Sequence, residues 1–335
     1  MTELTRRHVL GHVLAGTAVA SAATALTPLA SVPALAAAPA AGKQIAGYYR
    51  YKVGSLECTQ VTDGMAQFPM PDGFIKNAGK DDINKALQAA YLPPDKMTVL
   101  FNPMVINTGS KLVVIDTGYG PEMYAQSKGA RGQFVTNMMA AGYDPKAVDI
   151  VIISHFHPDH VNGLVSADGK SAFPNAEIKV PAPESAFWMD DGNMGKAKGG
   201  LLGAFKNNRR VMGVVAKQIT KYEWNKEVMP GITAIPTVGH TPGHTSFVVA
   251  SGNGKLLIQS DVTNNPFLFL RHPGWHVVYD MDGNKAEETR RKFYDMAAAE
   301  KTMIAGFHFP FPALGYVEKR GGSFELVPIT WTPSL

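Results

Sequence analysis

The chain runs from Val148-Asp149-Ile150-Val151-Ile152-Ile153 straight into Ser154-His155-Phe156-His157-Pro158-Asp159-His160. The first stretch is almost unbroken apolar sequence and reads as a strand buried on both faces. The second places four potential metal ligands within six residues, directly after that strand. A loop in that position can bring several ligands to one point, so the fold must offer a sheet whose strand end faces a polar centre. Alternation puts His155 and His157 on one side. Asp159 and His160 come from the next turn and can face a second ion, so two neighbouring sites are the natural reading.

Four ligands do not complete two catalytic sites, and the others must come from other strand ends. His244 lies in the Gly/Pro-punctuated loop Gly239-His240-Thr241-Pro242-Gly243-His244-Thr245. Asp261 follows the apolar run Leu256–Gln259, and His308 follows Thr302–Ala305 after Gly306-Phe307. Imidazole suits zinc and iron, and a carboxylate between two cations offsets their repulsion. The set therefore implies two ions roughly 3.5–4 Å apart that share a carboxylate.

Segments of β character recur around these ligands. Met104–Thr108 and Lys111–Asp116 flank Gly109-Ser110 as a hairpin. A helix is expected near Pro121–Ala141, and strands at Glu177–Val180, Ile232–Ile235, Thr245–Ala250 and Leu256–Gln259, the last pair closed by Gly252-Asn253-Gly254. Asn284–Lys301 reads as a helix feeding the strand Thr302–Ala305. Hairpins mixed with helices favour an α/β fold of two sheets with helices outside them.

Ahead of this part, Arg6-Arg7 precede a long run of small and apolar residues that ends near Ala34-Leu35-Ala36. Residues 1–36 read as a twin-arginine-type signal peptide and 37–335 as one hydrolase domain, periplasmic or secreted. The run holds His12, Pro28 and Pro33 and makes a poor permanent membrane helix, so no stable span is expected after processing. Its removal takes the formal charge from +4 to +3, since Arg6, Arg7 and Glu3 leave with it. No dense Lys/Arg run interleaves with aromatics, and a nucleic-acid partner is not indicated. Cys58 is the single cysteine, so no intramolecular disulfide can form.

His155-x-His157-x-Asp159-His160, followed in order by His244, Asp261 and His308, resembles the metallo-β-lactamase superfamily. The likeness covers about residues 50–320 and implies an αββα sandwich with a binuclear centre at one edge. By that resemblance His155, His157 and His244 bind the first ion, Asp159, His160 and His308 the second, and Asp261 bridges. The ions would be zinc, with manganese, iron or cobalt as alternatives. By the same resemblance Asp159 and Asp261 would be the catalytic carboxylates. Asp116, in Val114-Ile115-Asp116-Thr117-Gly118, would support the ligand loop from behind, and His240 would brace its own loop rather than ligate. A histidine at His160 and an aspartate at Asp261 argue against the true β-lactamases. The Gly239–Thr245 loop and the ending Phe307-His308-Phe309-Pro310-Phe311-Pro312 look like the branch holding methyl parathion hydrolase and the N-acyl-homoserine lactonases.

That resemblance implies a metal-bound hydroxide that attacks a carbonyl or phosphoryl centre. Phe187, Trp188 and Phe309 are expected to line the pocket, giving a small-molecule substrate with an apolar acyl or aryl group: an ester, a lactone or a phosphotriester. A homodimer is compatible with this reading. Its rivals are an iron-dependent redox member of the superfamily, a nuclease-type phosphodiesterase and a non-catalytic metal-binding module.

Overall fold

A computed structural model describes residues 41, 42 and 44–335, so the expected signal peptide lies outside the described residues. Two seven-stranded sheets form the body. The first takes Tyr48–Val53, Leu56–Val61, Met104–Asn107, Leu112–Ile115, Ile150–Ile152, Glu177–Pro181 and Ile219–Tyr222 in that spatial order. The second takes Glu227–Met229, Ile232–Pro236, Thr245–Ser251, Gly254–Ile258, Met303–Ala305, Leu314–Arg320 and Ser323–Pro328. A two-stranded sheet, Gly64–Pro69 with Lys96–Phe101, stands apart.

Alternation along the strands sorts the apolar side chains into layers. Cys58, Ile106, Val113 and Ile152 of the first sheet meet Ile232, Phe247, Val249 and Leu256 of the second in one buried cluster between the sheets. The opposite face of the first sheet, with Val114, Val151 and Ile178, packs on Phe134, Trp188, Phe205 and Met212 from helices Phe134–Ala140, Ala182–Met189 and Gly199–Val214. Leu257, Ile304 and Val317 on the outer face of the second sheet pack on Phe293, Tyr294 and Ala297 of helix Gly283–Glu300. The order helix, sheet, sheet, helix is the expected αββα sandwich. Among the described residues no helix is long and apolar enough to cross a membrane.

The helix expected over Pro121–Ala141 is instead two, Gly120–Gln126 and Phe134–Ala140. Between them Gly129 and Gly132 take positive φ, and a Cβ on Gly132 would fall 2.2 Å from the Gly120 carbonyl oxygen. Close backbone approach wins there over helical continuity.

Strand direction positions the site. Leu112–Ile115, Ile150–Ile152 and Glu177–Pro181 run parallel, as do Gly254–Ile258 and Met303–Ala305, and Thr245–Ser251 is antiparallel to Gly254–Ile258. Residues that follow 115, 152, 258 and 305 thus gather at the carboxyl edge of the sandwich, together with those that precede 245. Buried Asp63 fastens this edge: its carboxylate accepts the N–H groups of Tyr119 (2.9 Å), Gly132 (3.2 Å) and Phe134 (2.8 Å). Asp63→Ala would leave one buried donor, on Phe134, and two partly buried ones, on Tyr119 and Gly132, without their partner, and urea denaturation of the metal-loaded protein should show a loss of about 3 kcal/mol. A loss well below about 1 kcal/mol would show that the edge is held by other contacts.

Candidate metal centre

Past strand Ile150–Ile152 the chain enters the short helix Pro158–Val161, with Pro158 at the position where its missing N–H does no harm. His155 and His157 precede this helix, and Asp159 and His160 lie in its only turn. Ligating atoms of His155, His157, His240 and Asp261 all fall within 4.8 Å of one another, and those of Asp159, His160, Asp261 and His308 do the same. Asp261 belongs to both groups. His160 Nε2 and Asp261 Oδ1 sit 3.1 Å apart, yet both are buried without a hydrogen-bond partner. A cation between them would satisfy both, and a set of imidazoles and carboxylates is a zinc-type donor set, so the residues fit a divalent metal.

The outer nitrogen of most rings is occupied, which turns the inner nitrogen toward the centre. His160 Nδ1 lies 2.8 Å from Asp116 Oδ2, and Asp116 also accepts from the Ser154 N–H (2.8 Å) and hydroxyl (2.7 Å). His308 Nδ1 donates to the Leu100 carbonyl at 2.6 Å, and His244 Nδ1 to the Thr237 carbonyl at 2.9 Å. His240 Nδ1 lies 2.9 Å from Asp280 Oδ1.

Burial pushes His157 and His244 down to about 3, and the nearby His240 ring adds to this, so both stay neutral at ordinary pH. Burial also lowers His155, with the neighbouring His160 ring next. For His160 burial is outweighed by Asp261, Asp159 and Asp116, which raise it. For Asp261 burial alone would raise the carboxyl, but His308 and His160 hold it well below the usual carboxylate range.

The loop Gly239–Thr245 departs from expectation. His240, expected only to brace, turns Nε2 into the first group, 2.8 Å from His157 Nδ1 and 3.3 Å from Asp261 Oδ2. His244, the expected ligand, lies beside it with its ring 4.9 Å from that of His155, and its Nε2 accepts the Asp261 main-chain N–H at 3.0 Å. Asp280 holds Nδ1 of His240, which leaves Nε2 as the nitrogen that faces the first group.

The expected pocket wall is corrected. Trp188 is 1% exposed, packs against Phe205 (4.7 Å) and donates its indole N–H to Glu184, since its helix turns that face onto the first sheet. Phe187 packs on the same cluster, against Trp188 and Phe205. Phe309 is 0% exposed because the tight turn Gly306–Phe309 points its ring under helix Gly283–Glu300 while His308 faces the centre. Aromatic surface at the centre comes from other residues. Phe307 stacks on His160 at 4.0 Å, and Phe101 packs edge-on to His308 (5.5 Å) and Tyr119 (5.0 Å). Half-exposed Tyr279 stands edge-on to Phe74 at 5.4 Å.

Three supporting groups escape the sequence reading. Glu184 reaches both histidine loops, Asp280 pairs with buried Arg290 at 3.2 Å, and Asn102 donates to the Phe307 and Phe309 carbonyls. None has a spacing signature. The nearest thing to one is Glu184 with Trp188 four residues on, a helical pair.

Fold and geometry together define a class: a two-sheet sandwich that carries a shared-carboxylate His/Asp centre on one edge. Residues 102–308 match the Metallo-beta-lactamase superfamily, and the chain belongs to that superfamily. Among similar proteins is an N-acyl homoserine lactonase of Bacillus sp., 26% identical over 185 residues that make up 49% of this chain and 64% of the relative. The match thus spans less than two thirds of that relative's length. A solved hydrolase of the beta lactamase superfamily, AbOPH, is 28% identical with a TM-score of 0.80, covering 87% of this chain and 100% of its own. AidC, a dizinc quorum-quenching lactonase solved with the product N-hexanoyl-L-homoserine, is 26% identical with a TM-score of 0.79, covering 86% and 99%.

The purified protein, loaded with zinc, should hold about two ions per chain by elemental analysis. Asp261→Ala removes the carboxylate common to both groups and should lower the content of both, whereas an Asp261→Ala protein with two tightly held ions would overturn the shared assignment.

Proposed function

We propose that this protein is an exported binuclear metallohydrolase that opens an ester, lactone or phosphotriester bond in a small substrate carrying an apolar acyl or aryl group. The observation that carries this reading is the carboxylate of Asp261, common to two groups of buried imidazoles and carboxylates. Lactonases and a hydrolase among the similar proteins support it.

The first ion would be held by His155, His157, Asp261 and an imidazole of the Gly239–Thr245 loop, and the second by Asp159, His160, Asp261 and His308. Ions so held supply Lewis acidity, which acidifies water and polarises the scissile carbonyl or phosphoryl oxygen. The chain's own residues do the rest. Phe307, Phe101 and the buried histidine rings keep the inner wall dry, which strengthens every charge interaction there. His157 is the one member of the two groups that is only partly buried, so substrate approaches on its side. Burial raises the phenols of Tyr119 and Tyr279, and the Asp159 carboxylate raises both further. Both therefore keep their protons at neutral pH and can donate a hydrogen bond to the substrate's polar end, while their rings meet its apolar body.

A panel of an acyl-homoserine lactone, an aryl ester and a phosphotriester tests the activity. Turnover of at least one, lost on chelation and restored by zinc, is expected; none with two ions bound would overturn the proposal. Tyr279→Ala should lower kcat/KM for the bulky substrate by about tenfold, or roughly 1.4 kcal/mol, with metal content intact. Trp188→Ala should act on stability instead, by about 3–5 kcal/mol.

Export rests on Arg6-Arg7 and the small residues that follow. Mature protein from the producing cell should begin between about residues 35 and 43 by N-terminal sequencing. Protein that keeps Met1 or Thr2 and is found only in the cytoplasm would contradict it.

A further inference from the structure

We propose that Glu184 is a positioning residue that locks together the two loops supplying the first group's histidines and thereby sets how tightly that group holds its ion. This rests on the metal-dependent reading above. Glu184 lies in helix Ala182–Met189, outside every ligand loop, and its side chain is fully buried.

Its carboxylate has four donors. Oε1 accepts the Phe156 N–H at 3.0 Å and the Trp188 indole N–H at 2.7 Å. Oε2 accepts the Thr241 hydroxyl at 2.8 Å and the Gly243 N–H at 2.7 Å. Phe156 stands between His155 and His157, and Thr241 and Gly243 stand between His240 and His244. One carboxylate thus bonds next to each histidine from these two loops. Contact is close: a Cβ on Gly243 would fall 2.2 Å from the Glu184 main-chain nitrogen.

The second group is fixed by other means. His160 leans on Asp116 and His308 on the Leu100 carbonyl, and Glu184 bonds to neither. Loss of the Glu184 carboxylate should therefore act on one ion and spare the other. Groups that orient ligands from behind typically change metal affinity ten- to a hundredfold.

The test is zinc competition against a chromophoric chelator on the full chain, with the cobalt-substituted absorption spectrum as a second readout. Glu184→Gln keeps the volume but sets an NH2 against N–H donors. One zinc of the two should bind about tenfold to a hundredfold more weakly, with an altered cobalt spectrum, and the other should be unchanged. Trp188→Phe removes only the donor that lies outside the loops and should hold both ions as the parent protein does. Equal weakening of both ions, parent-like binding of both, or a Trp188→Phe loss as large as that of Glu184→Gln would each overturn the proposal. Should Glu184→Gln not fold, Thr241→Val decides: weaker binding of the same single ion supports the role, and unchanged binding overturns it. A parent protein that binds no zinc would instead overturn the metal-dependent reading itself.

Discussion

Asp261 is a buried carboxylate enclosed by imidazoles, and the edge of the sandwich is organised around it. One oxygen lies 2.9 Å from His308 Nε2 and accepts from the Asn264 amide at 3.0 Å, while the other has no hydrogen-bond partner. A lone buried charge is strongly unfavourable unless paired or bound to a cation, so the neighbours of Asp261 have to supply positive charge. Strand directions make that possible. Parallel pairs in both sheets end at the same edge, and the residues just past Ile152, Ile258 and Ala305 meet there without long connections.

Around these imidazoles and carboxylates stand three further buried carboxylates, each tied to a different part of the site. Asp116 holds Ser154 and His160, Glu184 holds the two histidine loops, and Asp280 holds His240 while pairing with Arg290. Arg290 also donates to the carbonyls of Val262, Pro273 and Trp275, so helix Gly283–Glu300 reaches the centre through a single guanidinium. Buried polar networks of this kind are stable only when nearly every member is satisfied, and a satisfied network fixes one geometry. The centre's rigidity thus resides in residues that need touch no ion.

Much of this was legible along the chain. The apolar run before Ser154 and the ligand spacing after it located the first loop, and the hairpin at 104–115 and the helix at 284–301 carry periodic signals that the folded chain obeys. The aromatic wall was not legible. Phe187, Trp188 and Phe309 neighbour site elements in sequence, but helix phase and a tight turn point their rings inward, and the aromatics packed on the site's imidazoles are Phe307 and Phe101 instead. Which way a ring points depends on the surface its element packs against, and no local pattern encodes that surface.

The sequence by itself determined the strands, the cluster His155 to His160 that follows one of them and, by resemblance, the superfamily, because residue spacing and hydrophobic period are local properties; which histidine of the Gly239–Thr245 loop turns to the centre it left open. Tertiary structure alone decided that Glu184 joins loops centred near residues 156 and 242, that Asp280 pairs with His240 beside His244, and that Trp188 belongs to the core. Each of these depends on contacts between segments tens of residues apart, and burial, which only the folded chain defines, sets the strength of every such contact.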